Sequence, residues 1–166
     1  MKALRSPAGA ILAFVAIEYL LLVPFREMTL PLVTHMLSSR FGWLLVLERG
    51  EEVVEAITSF VKEKGLEGGR IRAIGGVADV TLGWYDLDAK EYRKKRFEGN
   101  FELVALLGNV SLVDGEVFCH LHAAVSGPDY ALRGGHLFEA RVSITAEVEV
   151  RAGPRVERRR DDFTAL

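Results

Sequence analysis

The chain has 166 residues, 49% of them apolar and 27% charged, with a formal net charge of −2. That is the composition of one globular domain with a sizeable core; it excludes a disordered chain and leaves too little length for two comfortable domains. The near-neutral balance gives no overall pull toward nucleic acid, and a single cysteine, Cys119, excludes an internal disulfide framework and a cysteine-rich zinc finger while fitting a reducing, cytoplasmic location.

Residues 1–39 differ in composition from everything after them. Ala8 to Phe25 is almost wholly apolar, and Lys2 and Arg5 precede it. That is the layout of a signal peptide or a membrane anchor. Glu18 interrupts the run, and a carboxylate near the middle of a spanning helix costs roughly 2.5–3.5 kcal/mol. No small-x-small cleavage site follows; Pro24-Phe25-Arg26-Glu27 stands there instead. Three readings stay open: an upstream extension with Met28 or Met36 as the start, a membrane or interfacial segment through residues 8–25, and a cleaved signal. The expected division is an apolar extension over 1–39, a folded domain over 40–151 and a charged tail over 152–166.

Arg40 to Arg49 reads as a buried strand. Glu51 to Lys64 reads as a helix, because Val53, Val54, Ile57, Phe60 and Val61 recur at helical spacing. Glu51 and Glu52 suit its positive end, Lys62 and Lys64 its negative end, and Gly65 its C-cap. Alternation takes over at Arg70 to Val77, where Gly75-Gly76 marks a bulge or a close backbone approach. Val80 to Asp86 and Glu91 to Phe97 form a hairpin around Leu87-Asp88-Ala89-Lys90. Phe101 to Leu107, continued by Asn109 to Leu112, is the next strand; Asp114-Gly115 is a tight turn; Val117 to Val125 follows. After a loop at Ser126 to Asp129, a long strand runs from His136 to Val150, with one buried and one wet face. One helix and about seven strands at hairpin spacing define an α+β fold, a mainly antiparallel sheet with the helix packed on it.

Three of the four histidines lie within residues 120–136. His120 and His122 are two apart, so a strand puts both rings on one face, with Cys119 turned to the other as a core residue. His136 follows the Gly134-Gly135 pair. Neutral imidazoles suit zinc, copper, iron and nickel, and three nitrogens with an open position are the arrangement of catalytic zinc. The alternatives are a polar cluster or an anion site. Neither glycine pair carries the spacing of a nucleotide cradle. Lys90, Arg93, Lys94, Lys95 and Arg96 form a cationic hairpin arm, and Arg155, Arg158, Arg159 and Arg160 a cationic tail. Acids lie among both, which favours a solvated surface over a phosphate grip.

Taken together, Ile74-Gly75-Gly76-Val77, Val80 to Leu87, Glu98 to Leu103, Leu107-Gly108-Asn109-Val110, His120-Leu121-His122-Ala123 and Gly134-Gly135-His136-Leu137 resemble the PPC domain (plants and prokaryotes conserved). The likeness runs from about Gly42 to Val150. It implies an α+β domain assembling as a homotrimer, with the three histidines as a metal site. In plants such domains accompany AT-hooks that bind AT-rich DNA, and mediate self-association and contact with transcription factors, in part through a Gly-Arg-Phe-Glu-type segment. Here that segment is Gly99-Asn100-Phe101-Glu102, with Asn100 in the arginine's place, and the 166 residues contain no Arg-Gly-Arg-Pro core. Stand-alone prokaryotic members are often labelled DNA-binding by analogy.

Two further candidates follow. Glu102, set in an apolar run, suits an acceptor for a histidine N–H, a trimer interface or a solvent-facing position; Asn109 is paired with it. Arg133, just before the glycine pair, can hold an anion at the cup. No nucleophile–base pair is evident, so no catalytic residue is assigned. The two functional expectations are a homotrimeric, metal-binding regulatory module with a DNA or transcription-factor partner, and a zinc-dependent hydrolase or lyase acting on an unidentified small molecule.

Overall fold

The computed structural model describes residues 35–39, 42–161 and 164. The apolar stretch 8–25, and with it the choice between extension, anchor and signal, lies outside the described residues. Seven strands and one helix appear among them: β1 His35–Ser39, β2 Gly42–Glu48, α1 Val53–Glu63, β3 Gly69–Asp86, β4 Glu91–Val113, β5 Glu116–Ser126, β6 Leu132–Ala152 and β7 Glu157–Arg158. No helix among these residues is long and apolar enough to cross a membrane.

The helix begins at Val53, two residues inside the start expected from the sequence. Glu52 is its N-cap: one carboxylate oxygen accepts the Glu55 N–H at 2.7 Å, and the other accepts the Ala140 N–H at 2.9 Å. A single side chain thus satisfies one of the orphan donors of the first turn and ties the helix start to β6. At the far end Gly65 has φ 62°, and the Leu66 N–H returns to the Val61 carbonyl at 3.0 Å. Val53, Ala56, Ile57, Phe60 and Val61 form the buried stripe, and the Phe60 ring meets Trp43 edge-on at 5.7 Å. The stripe packs against β5 and β6.

The sheet is α+β in the expected sense, antiparallel except for the short parallel pairing of β7 with β4. Its pairings close a ring: β6 with β3, β3 with β4, β4 with β5, and β5 back to β6. Strand β6 is the hub. It lies along β3 and also pairs with β5 over Leu132–His136 and with β2 over Thr145–Val150. Closure leaves the long strands without free edges where they bend. Leu121, Val125, Leu137, Ala140 and Val142 fill the inside against the helix stripe.

Two boundaries differ from the sequence reading. The segments 70–77 and 80–86 run on as one strand, and so do 91–97, 101–107 and 109–112. Bulges between Ala73 and Gly75 and between Ala78 and Val80 absorb the irregularity without ending the ladder. Gly75 explains the first: its φ is 153°, and a Cβ there would lie 2.3 Å from the Thr145 carbonyl oxygen. The hairpin turn at 87–90 is held by Asp86, which accepts the Asp88 and Ala89 N–H groups at 3.1 Å each.

Candidate functional site

Strand β5 alternates as the histidine spacing requires. Cys119, Leu121, Ala123 and Val125 are buried, while Phe118, His120 and His122 face outward. The neighbouring strands then complete the cup. His122 stands opposite His136 on β6, and His120 stands opposite Asn109 on β4. His136 itself is flanked on its other side by Gly83 of β3. The close passage of β6 is possible because position 135 is glycine; a Cβ there would lie 2.6 Å from the Gly83 carbonyl oxygen.

The three rings converge at centroid separations of 5.0, 5.1 and 5.5 Å. One ligand nitrogen from each lies within 4.8 Å of the others. His120 and His136 are half-buried and His122 is exposed. The Nδ1 atom of His136 is buried without any hydrogen-bond partner, a cost that a protein seldom bears without a reason. Tyr92 and Phe138 flank His136 at 4.9 and 4.7 Å, and Phe118 stacks on His120 at 6.0 Å. Burial pushes the His136 pKa down to about 4, helped by His120, His122 and Lys94. Burial, then Arg158 and His122, lower that of His120. Both rings are therefore neutral near pH 7, the form with a lone pair to give. The donor set fits a divalent ion with an open coordination position.

Sequence reading missed Arg158. It sits in the tail that looked like solvated surface, yet β7 carries it back onto the sheet beside Leu112 and Val113. Its Nε donates to Ser111 Oγ at 2.9 Å, and its Nη2 donates to Asn109 Oδ1 and His120 Nδ1, each at 3.0 Å. A cavity of about 790 Å³ opens over the cup, walled by Tyr92, Phe118, His120, His136, Phe138 and Arg158.

Of the remaining sequence candidates, one reaches the cup and two fall elsewhere. Asn109 joins the cup through Arg158. Glu102 is exposed, opposite Gly76 and Ser126, and lines a second cavity of about 810 Å³ with Gly99, Asn100 and Phe101. Arg133 forks onto the Asp129 carboxylate at 2.7 and 3.3 Å and lines a third cavity with Phe97 and Phe101, not the one over the histidines. Cations of the hairpin arm have protein partners: Arg93 pairs with Asp86 at 2.5 Å, Arg96 with Asp79 at 3.6 Å, and Lys94 lies 3.9 Å over the Phe138 ring.

A closed antiparallel sheet, one packed helix and three convergent histidines define the class. A profile of the Plants and Prokaryotes Conserved (PCC) domain matches residues 41–153, and the chain belongs to that family. Three solved structures are similar. A plant- and prokaryote-conserved (PPC) protein from Pyrococcus horikoshii is 31% identical, with 83% of this chain and 94% of that one covered and a TM-score of 0.71. A metal-containing protein from Archaeoglobus fulgidus is 36% identical, with 82% and 96% covered and a TM-score of 0.70. A provisionally named DNA-binding protein from Bacteroides thetaiotaomicron is 29% identical, with 80% and 93% covered and a TM-score of 0.77. No curated protein matches the chain by sequence.

Proposed function

We propose that the chain is a prokaryotic-type PPC protein of the cytoplasm that holds a divalent metal, zinc foremost, on His120, His122 and His136, works as a homotrimer, and serves as a regulatory module with DNA or a transcription factor as partner. The observation that carries the metal reading is the convergence of three imidazoles, one nitrogen from each within 4.8 Å of the others, with one nitrogen of the His136 ring, Nδ1, buried without a partner. The metal content of the Archaeoglobus relative supports it. Self-association is supported by apolar residues left on the outside of the sheet, with Ile74, Leu107 and Ile144 exposed by 57, 59 and 72%. The DNA partner is supported by the name of the Bacteroides relative. Metal analysis of the purified protein tests the centre. Wild type is expected to carry about one ion per chain and His120→Ala almost none; equal content in both sinks the reading.

A second reading is a zinc-dependent hydrolase or lyase. The cavity over the cup favours it, because its volume suits a small molecule. A divalent ion held there supplies Lewis acidity at its open position. Saturable turnover or thermal stabilisation by one metabolite class would favour this reading over the regulatory one.

A further inference from the structure

Arg158 stands where the histidine cup meets its cavity, and its hydrogen bonds carry more information than their number suggests. An arginine N–H can only donate, so His120 Nδ1 must accept at the 3.0 Å contact. A neutral imidazole has one such lone pair. With Nδ1 accepting, the ring proton sits on Nε2, and His120 has no electron pair left for an ion. A metal that uses His120 must therefore take that pair from Arg158. If the ion binds at Nδ1 it replaces the guanidinium directly; if it binds at Nε2 the proton moves to Nδ1, where it faces the Arg158 N–H as a second donor.

The displaced guanidinium does not leave. Its Nε remains on Ser111 Oγ and its Nη2 on Asn109 Oδ1. What it loses is the acceptor for the second Nη2 hydrogen. The two Nη1 hydrogens already have no partner among the described residues. The result is a fixed, permanently charged donor fork at the rim of the cup. The cavity it faces is walled by the Tyr92, Phe118 and Phe138 rings, and Arg159 and Arg160 line it too, against the acids Asp114 and Asp161. A metal at the cup would add to that positive balance.

Resting on the metal-binding reading above, we propose that this cavity takes a small oxyanion, a phosphate or a carboxylate, held between the ion in the histidine cup and the Arg158 guanidinium, and that Arg158 passes its Nη2 hydrogen from His120 to that anion when the ion enters. Metal and Arg158 thus compete for His120, and the anion relieves the competition.

Cobalt(II) tests the idea, because its visible bands report its own coordination. The full-length protein is loaded with cobalt and titrated with inorganic phosphate in one arm and succinate in the other. A saturable spectral change is expected in at least one arm, and the responding arm identifies the class of oxyanion. Arg158→Met is expected to bind cobalt about tenfold more tightly, having lost the competitor, and to bind the anion at least about tenfold more weakly. Because that variant can also unseat β7, Arg158→Lys is measured beside it. It keeps the charge but not the fork, and is expected to fall between wild type and Arg158→Met in anion affinity. Cobalt bound stoichiometrically with no response to either anion overturns this proposal and leaves the metal centre standing. Anion affinity equal to wild type in both Arg158 variants overturns it as well. Failure of the wild type to bind cobalt overturns the metal centre, and this proposal with it.

Discussion

Two cavities of the protein are nearly equal in volume, about 790 Å³ over the histidines and about 810 Å³ beside Gly99 to Glu102, and unlike in everything else. The first is floored by paired strands that aim three imidazoles at one point, with a buried nitrogen left unpartnered. The second is an open trough between loops and strands, with exposed Tyr130 and Ile144 on its walls and Glu98, Glu102 and Arg49 as its charges. Nothing in it converges. Volume therefore separates neither a ligand site from a docking surface nor chemistry from shape. Convergent donor atoms do: one nitrogen from each of three imidazoles lies within 4.8 Å of the others beside the first cavity, and the second has exposed apolar walls and no such set.

The sharpest way to break this contrast is to remove a ligand from one cavity and a charge from the other. His136→Ala should lower metal affinity by two orders of magnitude or more, since two imidazoles cannot hold what three do. Glu102→Gln, by contrast, should leave metal content unchanged. Inductively coupled plasma analysis reads both, and equal losses would mean that Glu102 supports the centre after all. The next effect in size is on assembly. Ile144→Asp places a charge on an apolar side chain exposed by 72%. It should shift the protein toward monomer in light scattering at micromolar concentration while keeping its full metal content. An unchanged mass would remove that wall of the second cavity from the interface.

How much of this was legible in the sequence depends on whether the causes were local. The helix was, because Val53 to Val61 repeats at helical spacing and Glu52 and Gly65 sit at the positions where caps are needed. His120 and His122 were legible as one face, because a strand alternates without exception between them. His136 was grouped with them by nearness in the sequence, and the resemblance strengthened the grouping, but spacing alone says nothing about which strand lies opposite β5. The ends of β3 and β4 were not legible. Glycine and Asp79 read as breaks, yet here they sit in bulges within a continuous ladder, Asp79 with φ 53° and its carboxylate on the Gly99 N–H. Arg158 was hidden for a plainer reason. A charged tail with Gly153-Pro154 looks solvated, and only the sheet's closure shows that the Leu112 N–H is waiting for the Val156 carbonyl at 2.8 Å.

A smaller effect comes from pH. The folded His136 pKa of about 4 lies below its ordinary value of 6.5, so between those values the unfolded chain binds the proton and the folded one resists it. Stability is full above about pH 6.5 and falls as pH drops toward 4. His120 is shifted in the same direction and adds to the slope. The lowered carboxylates Asp86, Asp129 and Glu149 act further down, below about 4.5, where their ordinary values lie. Chelator-treated protein should thus lose melting temperature between pH 6.5 and 4.5, and His136→Gln should flatten that part of the curve. Its persistence in the variant would assign the loss to other groups.

The smallest effect expected is on DNA. Three cations of the hairpin arm are engaged within the protein: Lys94 over Phe138, Lys95 over Phe97, Arg96 toward Asp79. Such groups keep part of their field but pay to reorient. Each phosphate contact that a cation makes steepens the dependence of log affinity on log salt by about 0.9. If this arm grips DNA, changing Lys94, Lys95 and Arg96 together to glutamine should flatten that slope by as many units as there were contacts, at most about three. Gel shifts from 50 to 200 mM salt measure it. A slope that does not move, with metal content intact, places any DNA contact away from this arm.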